Sequence, residues 1–296
     1  MTAGSDFDWV LLVDGIASPE HLDACSAIAE HLRSEGLKGP GAEATFGDLV
    51  FSHDLIHYIG GDEDSNANLT RRMLLLLESA PIGRDDAYVR TTNNILNRYI
   101  IEDFGWMHAR NPMNVPRFLQ NDIARYWRTI AVDFAYKRRR RAGKGWALRT
   151  AKLRLPRKLT FAAGLLMCYS CALDPEISAI VSSEAGRGAA AKIVAHLATY
   201  VRKTPLGIFA ELFLAHDSLA PTAKRLFDTY DNFLAILNDD EKRLRLETLA
   251  HDEIAEDPVY QAVRVLGHEF QEGLDRVFFD PDSPKLYELT RTYGVF

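Results

Sequence analysis

Asp6 and Asp8 flank Phe7 just ahead of the apolar run at residues 9–13 (WVLLV). If that run is a strand reaching back through them, alternation puts both carboxylates on one face and Phe7 on the other. Two carboxylates so placed can share a divalent cation. Mg²⁺ is typically held by one or two carboxylates together with phosphate oxygens of a substrate. Phosphoryl and nucleotidyl transfer use such a site, because the metal neutralises charge on the attacking and leaving oxygens. A bare D-x-D pattern fits a solvated turn equally well, so the surrounding residues decide.

The second chemistry-bearing feature is basic. Residues 137–158 (KRRRRAGKGWALRTAKLRLPRK) hold eleven Lys or Arg and no acid, in a chain of net charge −6. One concentrated basic segment on an acidic body points to a local anion site rather than a wholly basic surface. Lys144, Arg149 and Lys152 could hold a nucleotide triphosphate or an RNA backbone, with Trp146 available for stacking. Arg125 and Arg128, on a helix face just upstream, could line the same cleft. A solvated link between helices is the competing reading of this segment.

Three weaker constellations read as structural. His53 and His57 stand four residues apart, but an aspartate replaces the glutamate of an H-E-x-x-H zinc site and no third ligand stands out. Cys168 and Cys171 lie in an apolar helix without a second pair, which suits buried thiols. The residues Asp62, Asp64, Asn66 and Asn68 imitate a calcium loop but lack its glycine and closing glutamate, so a loop ending in a helix cap is expected.

Positioning these groups requires an α+β chain. Residues 9–13 suit a strand buried on both faces. Ser18-Pro19-Glu20 gives an N-cap, a proline at the first helical position and an acid in the first turn. Leu22, Cys25, Ile28, Ala29 and Leu32 follow at helical spacing, and residues 45–51 (TFGDLVF) read as a second strand. Beyond the polar loop 60–68 the pattern predicts helices near 69–79, 85–103, 116–138, 146–172, 187–203, 205–215, 221–238, 240–252 and 258–279. Pro156 should kink or divide the helix containing it. The helix at 116–138 puts Phe118, Leu119, Ile123, Tyr126, Trp127, Ile130 and Phe134 on one face. Asn121, Asp122, Arg125, Arg128 and Thr129 occupy the other. The expected domains are a small N-terminal α/β unit over 1–65 and a large all-helical domain over 66–296.

With those elements in place, Gly4-Ser5-Asp6-Phe7-Asp8-Trp9 followed by LLVDG resembles the aspartate-bearing strand of polymerase beta-type nucleotidyltransferases. The likeness is to bacterial relatives of the PII uridylyltransferase and glutamine synthetase adenylyltransferase type. It implies that Asp6 and Asp8 bind Mg²⁺ and a nucleoside triphosphate. It also implies a third acid on a later strand that activates the acceptor hydroxyl. Asp48, between Gly47 and Leu49, matches that position, with Glu43 and Asp14 as competitors. The helical remainder, including residues 122–129 (DIARYWRT), is similar to the helical extension of such relatives. The resemblance implies transfer of a nucleoside monophosphate to a protein, RNA or small-molecule acceptor. The family's Gly-Ser helix start belongs upstream of Asp6, so a chain beginning here is expected to grip triphosphate weakly and turn over little. The rival expectation is a non-catalytic helical module that engages RNA or an acidic partner through residues 137–158.

Composition narrows the class. Hydrophobic residues are 47% and charged residues 26% of 296, enough for a normal core. The longest apolar run, residues 161–173, falls short of the ~18–20 residues that span a bilayer. No secretory signal is read at the N-terminus, and three cysteines make no disulfide framework. A soluble, cytoplasmic protein without membrane contact is the expectation.

Overall fold

The computed structural model describes residues 5–41, 45–103, 115–140, 145–183, 187–281 and 283–294. The chain is 74% helical, and its described residues contain one two-stranded sheet. Strand β1 (Val10–Val13) pairs in parallel with β2 (Asp48–Phe51), Val10 opposite Asp48 and Val13 opposite Phe51. Helix α1 (Glu20–Ser34) makes the connection between them. A parallel pair needs such a crossover, and two strands alone have too little buried area to stand. The sheet is therefore completed by helices packed on its inner side.

Those helices begin at once. Helix α2 (Ser52–His57) follows β2 directly, then come α3 (Asn66–Leu77), α4 (Asp86–Glu102) and α5 (Arg117–Arg140). Ser65 caps α3, its side chain accepting from the Asn68 amide. Leu55, Ile56 and Ile59 join Val50 in the same buried cluster as the helical body. The polar loop thus ends in a helix cap, as its composition implied.

Pro156 divides the expected 146–172 helix. Helix α6 (Trp146–Arg154) stops at Leu155, and α7 (Pro156–Leu173) restarts with proline at its first position. Proline cannot continue the hydrogen-bond ladder but suits a first turn, where its missing N–H is no loss. Helix α7 is apolar on all sides and is the axle of the fold, buried almost continuously from Leu159 to Ala172. The apolar run read at 161–173 is this core helix. Among the described residues no single helix is long and apolar enough to cross a membrane.

Around this axle lie α8 (Pro175–Ser183), α9 (Arg187–Val201), α10 (Pro205–Ala215), α11 (Ala220–Asn238), α12 (Asp240–Thr248), α13 (Pro258–Phe279) and α14 (Pro284–Leu289). Helices α11 and α13 pack along each other, as do α4 with α9 and α5 with α7. The helix at 258–279 has the boundaries its periodicity predicts. Helices α2, α8 and α14 are additional to the expected set, because short elements carry too few turns to show a period.

Two local expectations are corrected. Strand β1 is only half-buried, Val10 and Leu12 packing against the core while the other face stays partly open. Helix α1 buries Cys25 alone, and Leu22 is 58% exposed. Ser18 makes no side-chain cap for this helix; its oxygen lies 3.4 Å from the Glu20 amide, and Pro19 occupies the cap position. A single helix over two strands has little sheet to cover, so its apolar stripe is only partly used.

Candidate functional site

Residues 6–9 run on from β1 and are strapped from both sides. The Phe7 amide donates to the Lys38 carbonyl at 2.7 Å, and the Gly47 amide donates to the Trp9 carbonyl at 2.7 Å. Gly47 has φ +84°, a left-handed turn that glycine adopts without strain. These bonds tie residues 6–9 to the segment after α1 and to the turn before β2. Asp6 forms an ion pair with Lys38 at 2.7 Å.

Asp8 has no ion pair within 4 Å among the described residues. It faces Lys152 on α6 and Arg157 at the start of α7. Its pKa is raised, chiefly by burial and then by the Asp6 charge, with Lys152 and Arg157 pulling the other way. Glu78, at the end of α3, shares the same space. Burial raises its pKa most and the Asp8 charge adds to that, while Thr160 donates a 3.0 Å hydrogen bond and Arg157 opposes the rise. Asp8 and Glu78 are nevertheless both exposed.

The cations respond in kind. Burial depresses the Lys152 pKa, and the neighbouring charges of Arg243 and Arg157 add to the effect while Asp6 resists it. Two tyrosines lie in electrostatic reach of these acids. Tyr126 of α5 is 4% exposed, and burial raises its pKa well above the ordinary phenol value, with Arg157, Glu78 and Asp8 in electrostatic reach. Tyr230 of α11 is pushed up to about 12 by burial and by Glu78. Asp6, Asp8 and Glu78 thus share one electrostatic neighbourhood with Lys38, Lys152 and Arg157.

Of the residues singled out from sequence, Asp6, Asp8 and Lys152 come together. Asp48 does not join them. It accepts from its own neighbour's amide, Leu49 N, at 2.7 Å, and its electrostatic neighbours are Arg71 and Cys25. Asp6 and Asp8 lie upstream of the strand pairing, which starts at Val10, so shared register does not gather the three. Among the described residues no group of three His, Cys, Asp or Glu side chains is placed to hold a metal ion. Asp14 is committed to Ser52 and Arg90, each at 2.7 Å, and Glu43 lies outside the described residues.

The predicted anion-binding residues scatter. Arg125 is turned to Asp64, bonding its carboxylate at 2.8 Å and its carbonyl at 3.0 Å. Arg128 is exposed on α5. Arg149 donates to the Gly145 carbonyl at 3.2 Å, and Lys144 lies outside the described residues. Trp146 is packed between Arg138, whose guanidinium lies 5.5 Å above its ring, and the rings of His251 and Tyr260. Lys158 reaches Gln271 on α13 at 2.6 Å. The basic segment thus disperses over three helices, because the divide at Pro156 turns successive residues to different neighbours.

The remaining motifs are the cysteine and histidine pairs. Cys168 and Cys171 are buried free thiols whose pKa values burial raises. The His53 and His57 rings lie 4.7 Å apart on α2, tilted by 40°. Sequence reading missed Glu78, Arg157 and Lys38 as site members. It counted Tyr126 as core, and the residue is buried in the main hydrophobic cluster. Compared with known proteins, the chain matches no family model, no curated protein and no solved structure.

Proposed function

We propose that this cluster of charged side chains binds a nucleoside triphosphate with Mg²⁺ and transfers its nucleoside monophosphate to an acceptor hydroxyl. One observation carries the reading: Asp8, free of any ion pair among the described residues, lies in electrostatic reach of Lys152 and Arg157. A ligand that joins a divalent cation to a polyphosphate answers both signs of charge at once. Asp6 and Asp8 would hold the cation, two carboxylates sufficing where phosphate oxygens complete the shell. The metal supplies charge neutralisation on the reacting phosphate.

The chain's own groups do the rest. Lys38 neutralises Asp6 while no ligand is bound and is displaced on loading. Lys152 and Arg157 orient the phosphates, Arg157 in a fork geometry suited to two oxygens. Glu78, with its proton affinity raised by burial and Asp8, is placed to accept the proton of an acceptor hydroxyl. The straps at Phe7 and Gly47 keep the carboxylates still, which is the condition for aligned attack.

The test is calorimetric and kinetic. The full chain should bind nucleoside triphosphate only weakly without Mg²⁺ and at least tenfold more tightly with it, releasing pyrophosphate when an acceptor is supplied. Asp8→Asn should remove the metal-dependent gain. Equal affinity with and without Mg²⁺, or an unaffected Asp8→Asn protein, would overturn the assignment.

A further inference from the structure

Helix α2 carries two histidines that the fold does not use. Leu55 and Ile56 turn inward and, with Ile59, join Val50 in the core, which leaves His53 and His57 on the outer side. A helix of six residues is too short to persist alone, so this anchoring is what fixes the two rings. His53 and His57 stand one turn apart, with ring centres 4.7 Å from each other and planes tilted by 40°. The His53 side chain is 64% exposed, and His57 is exposed as well. Neither imidazole makes a hydrogen bond among the described residues. Tyr58 meets the His53 ring edge-on at 5.5 Å, which limits its rotation. Asp54 Oδ1 lies 3.5 Å from His53 Nδ1.

Two imidazoles that share one tetrahedral ion, each nitrogen ~2.0–2.1 Å from it, hold their ring centres about 5 Å apart. The observed spacing meets that requirement without any movement of the backbone. We propose that His53 and His57 chelate a late first-row divalent ion, Zn²⁺ or Cu²⁺, with water in the remaining coordination positions. The Asp54 carboxylate favours a proton on His53 Nδ1, which leaves Nε2 as the binding lone pair. A catalytic H-E-x-x-H centre needs a third protein ligand, and the described residues supply none. A two-histidine chelate has no such need. Neutral imidazole suits zinc, copper and nickel, whereas Mg²⁺ favours oxygen. The pair is therefore distinct from Asp6 and Asp8 in its ligands and in its ion.

Zn²⁺, titrated by calorimetry into the metal-free full chain, is the probe. Wild type should bind one ion, and Cu²⁺ more tightly than Zn²⁺. His53→Gln and His57→Gln should each weaken Zn²⁺ binding at least tenfold. Both side chains are exposed, so neither change should lower Tm in the absence of metal. Saturating Zn²⁺ should raise the Tm of wild type and leave that of the two variants unmoved. Electron paramagnetic resonance of the Cu²⁺ form should show two imidazole nitrogens in wild type and one in each variant. Asp8→Asn should bind Zn²⁺ as wild type does, so the nucleotide reading can fail without touching this result. Unchanged Zn²⁺ affinity in both glutamine variants would overturn the proposal, and so would loss of the ion in Asp8→Asn. Wild type that binds no Zn²⁺ at millimolar concentration would overturn it too.

Discussion

The guanidinium of Arg72 is fully buried and meets the Asp64 carboxylate through two parallel hydrogen bonds, of 3.0 and 2.9 Å. Its remaining reach is filled by Asp122 at 2.9 Å and by the Tyr99 hydroxyl at 2.8 Å, which itself donates to Asp122 at 2.5 Å. Arg125 closes the far side of Asp64. Two cations and two carboxylates thus cancel inside the fold, tying the loop before α3 to α4 and α5. Removing one member strands a buried charge, which typically costs about 3–5 kcal/mol. Arg72→Met and Asp64→Asn should each lose stability on that scale in urea unfolding. A loss below about 1 kcal/mol would show the network to be dispensable.

That network also shows where sequence reading stops. Asp122 and Arg125 fall on the polar face of α5, and periodicity assigned them to solvent or to a ligand. Asp122 instead accepts from Arg72, fifty residues away, and Arg125 donates to Asp64. Helical period reports which residues share a face, not whether that face meets water or a buried partner. Helix identity, the proline divide and the apolar axle were legible because each depends on local pattern. Asp6 and Asp8 stand out as a spaced pair of acids, but they precede β1, which begins at Val10, so strand alternation does not place them. Glu78, Tyr126 and Arg157 come from three different helices, and only tertiary packing unites them.

Asp14 predicts how the strand unit is anchored. Its carboxylate accepts from Ser52 Oγ and from Arg90 Nε, each at 2.7 Å, joining the end of β1 to the starts of α2 and α4. Those bonds, Ser52 first, hold its pKa below the usual carboxylate value. A depressed acid contributes stability above its unfolded value near ~3.9, and that contribution is lost as pH falls through the folded value. Asp14→Ala should cost about 1–2 kcal/mol at neutral pH, less in strong acid, and speed hydrogen exchange at residues 10–13. An identical cost at neutral pH and at pH 3 would contradict this account.

Gly164, in the middle of α7, marks a close helix crossing. A Cβ there would lie 3.0 Å from Ile123 Cγ2 and 3.1 Å from Leu77 Cδ1. Alanine improves helix propensity by up to ~1 kcal/mol, but both neighbours are fully packed and must shift, which costs about 1–3 kcal/mol. Gly164→Ala should therefore be destabilising by about 1 kcal/mol in thermal or urea unfolding. A gain in stability would mean that α5 and α3 can separate more easily than their packing indicates.

The charged cluster itself predicts a trade between stability and ligand binding. Asp8 and Glu78 have raised pKa values, so the folded state takes up their protons more readily than the unfolded chain does. Their destabilising effect appears as pH rises past the unfolded values near ~4 and persists above the folded ones. At neutral pH, Asp8→Asn and Glu78→Gln should each raise Tm, by ~1–2 °C once solvent screening at these wetted sites is allowed for. At pH 3 the gain should vanish, because the wild-type carboxyls are then protonated as well. Asp8→Asn should also weaken Mg²⁺-dependent nucleotide binding. Glu78→Gln should leave triphosphate affinity near wild type while slowing turnover, since its assigned task is to take a proton and not to hold the metal. A protein that binds less and melts lower would instead mark these acids as ordinary structural residues, with their charges satisfied by the fold. Melting curves at the two pH values, beside nucleotide titrations of the same variants, separate the two outcomes.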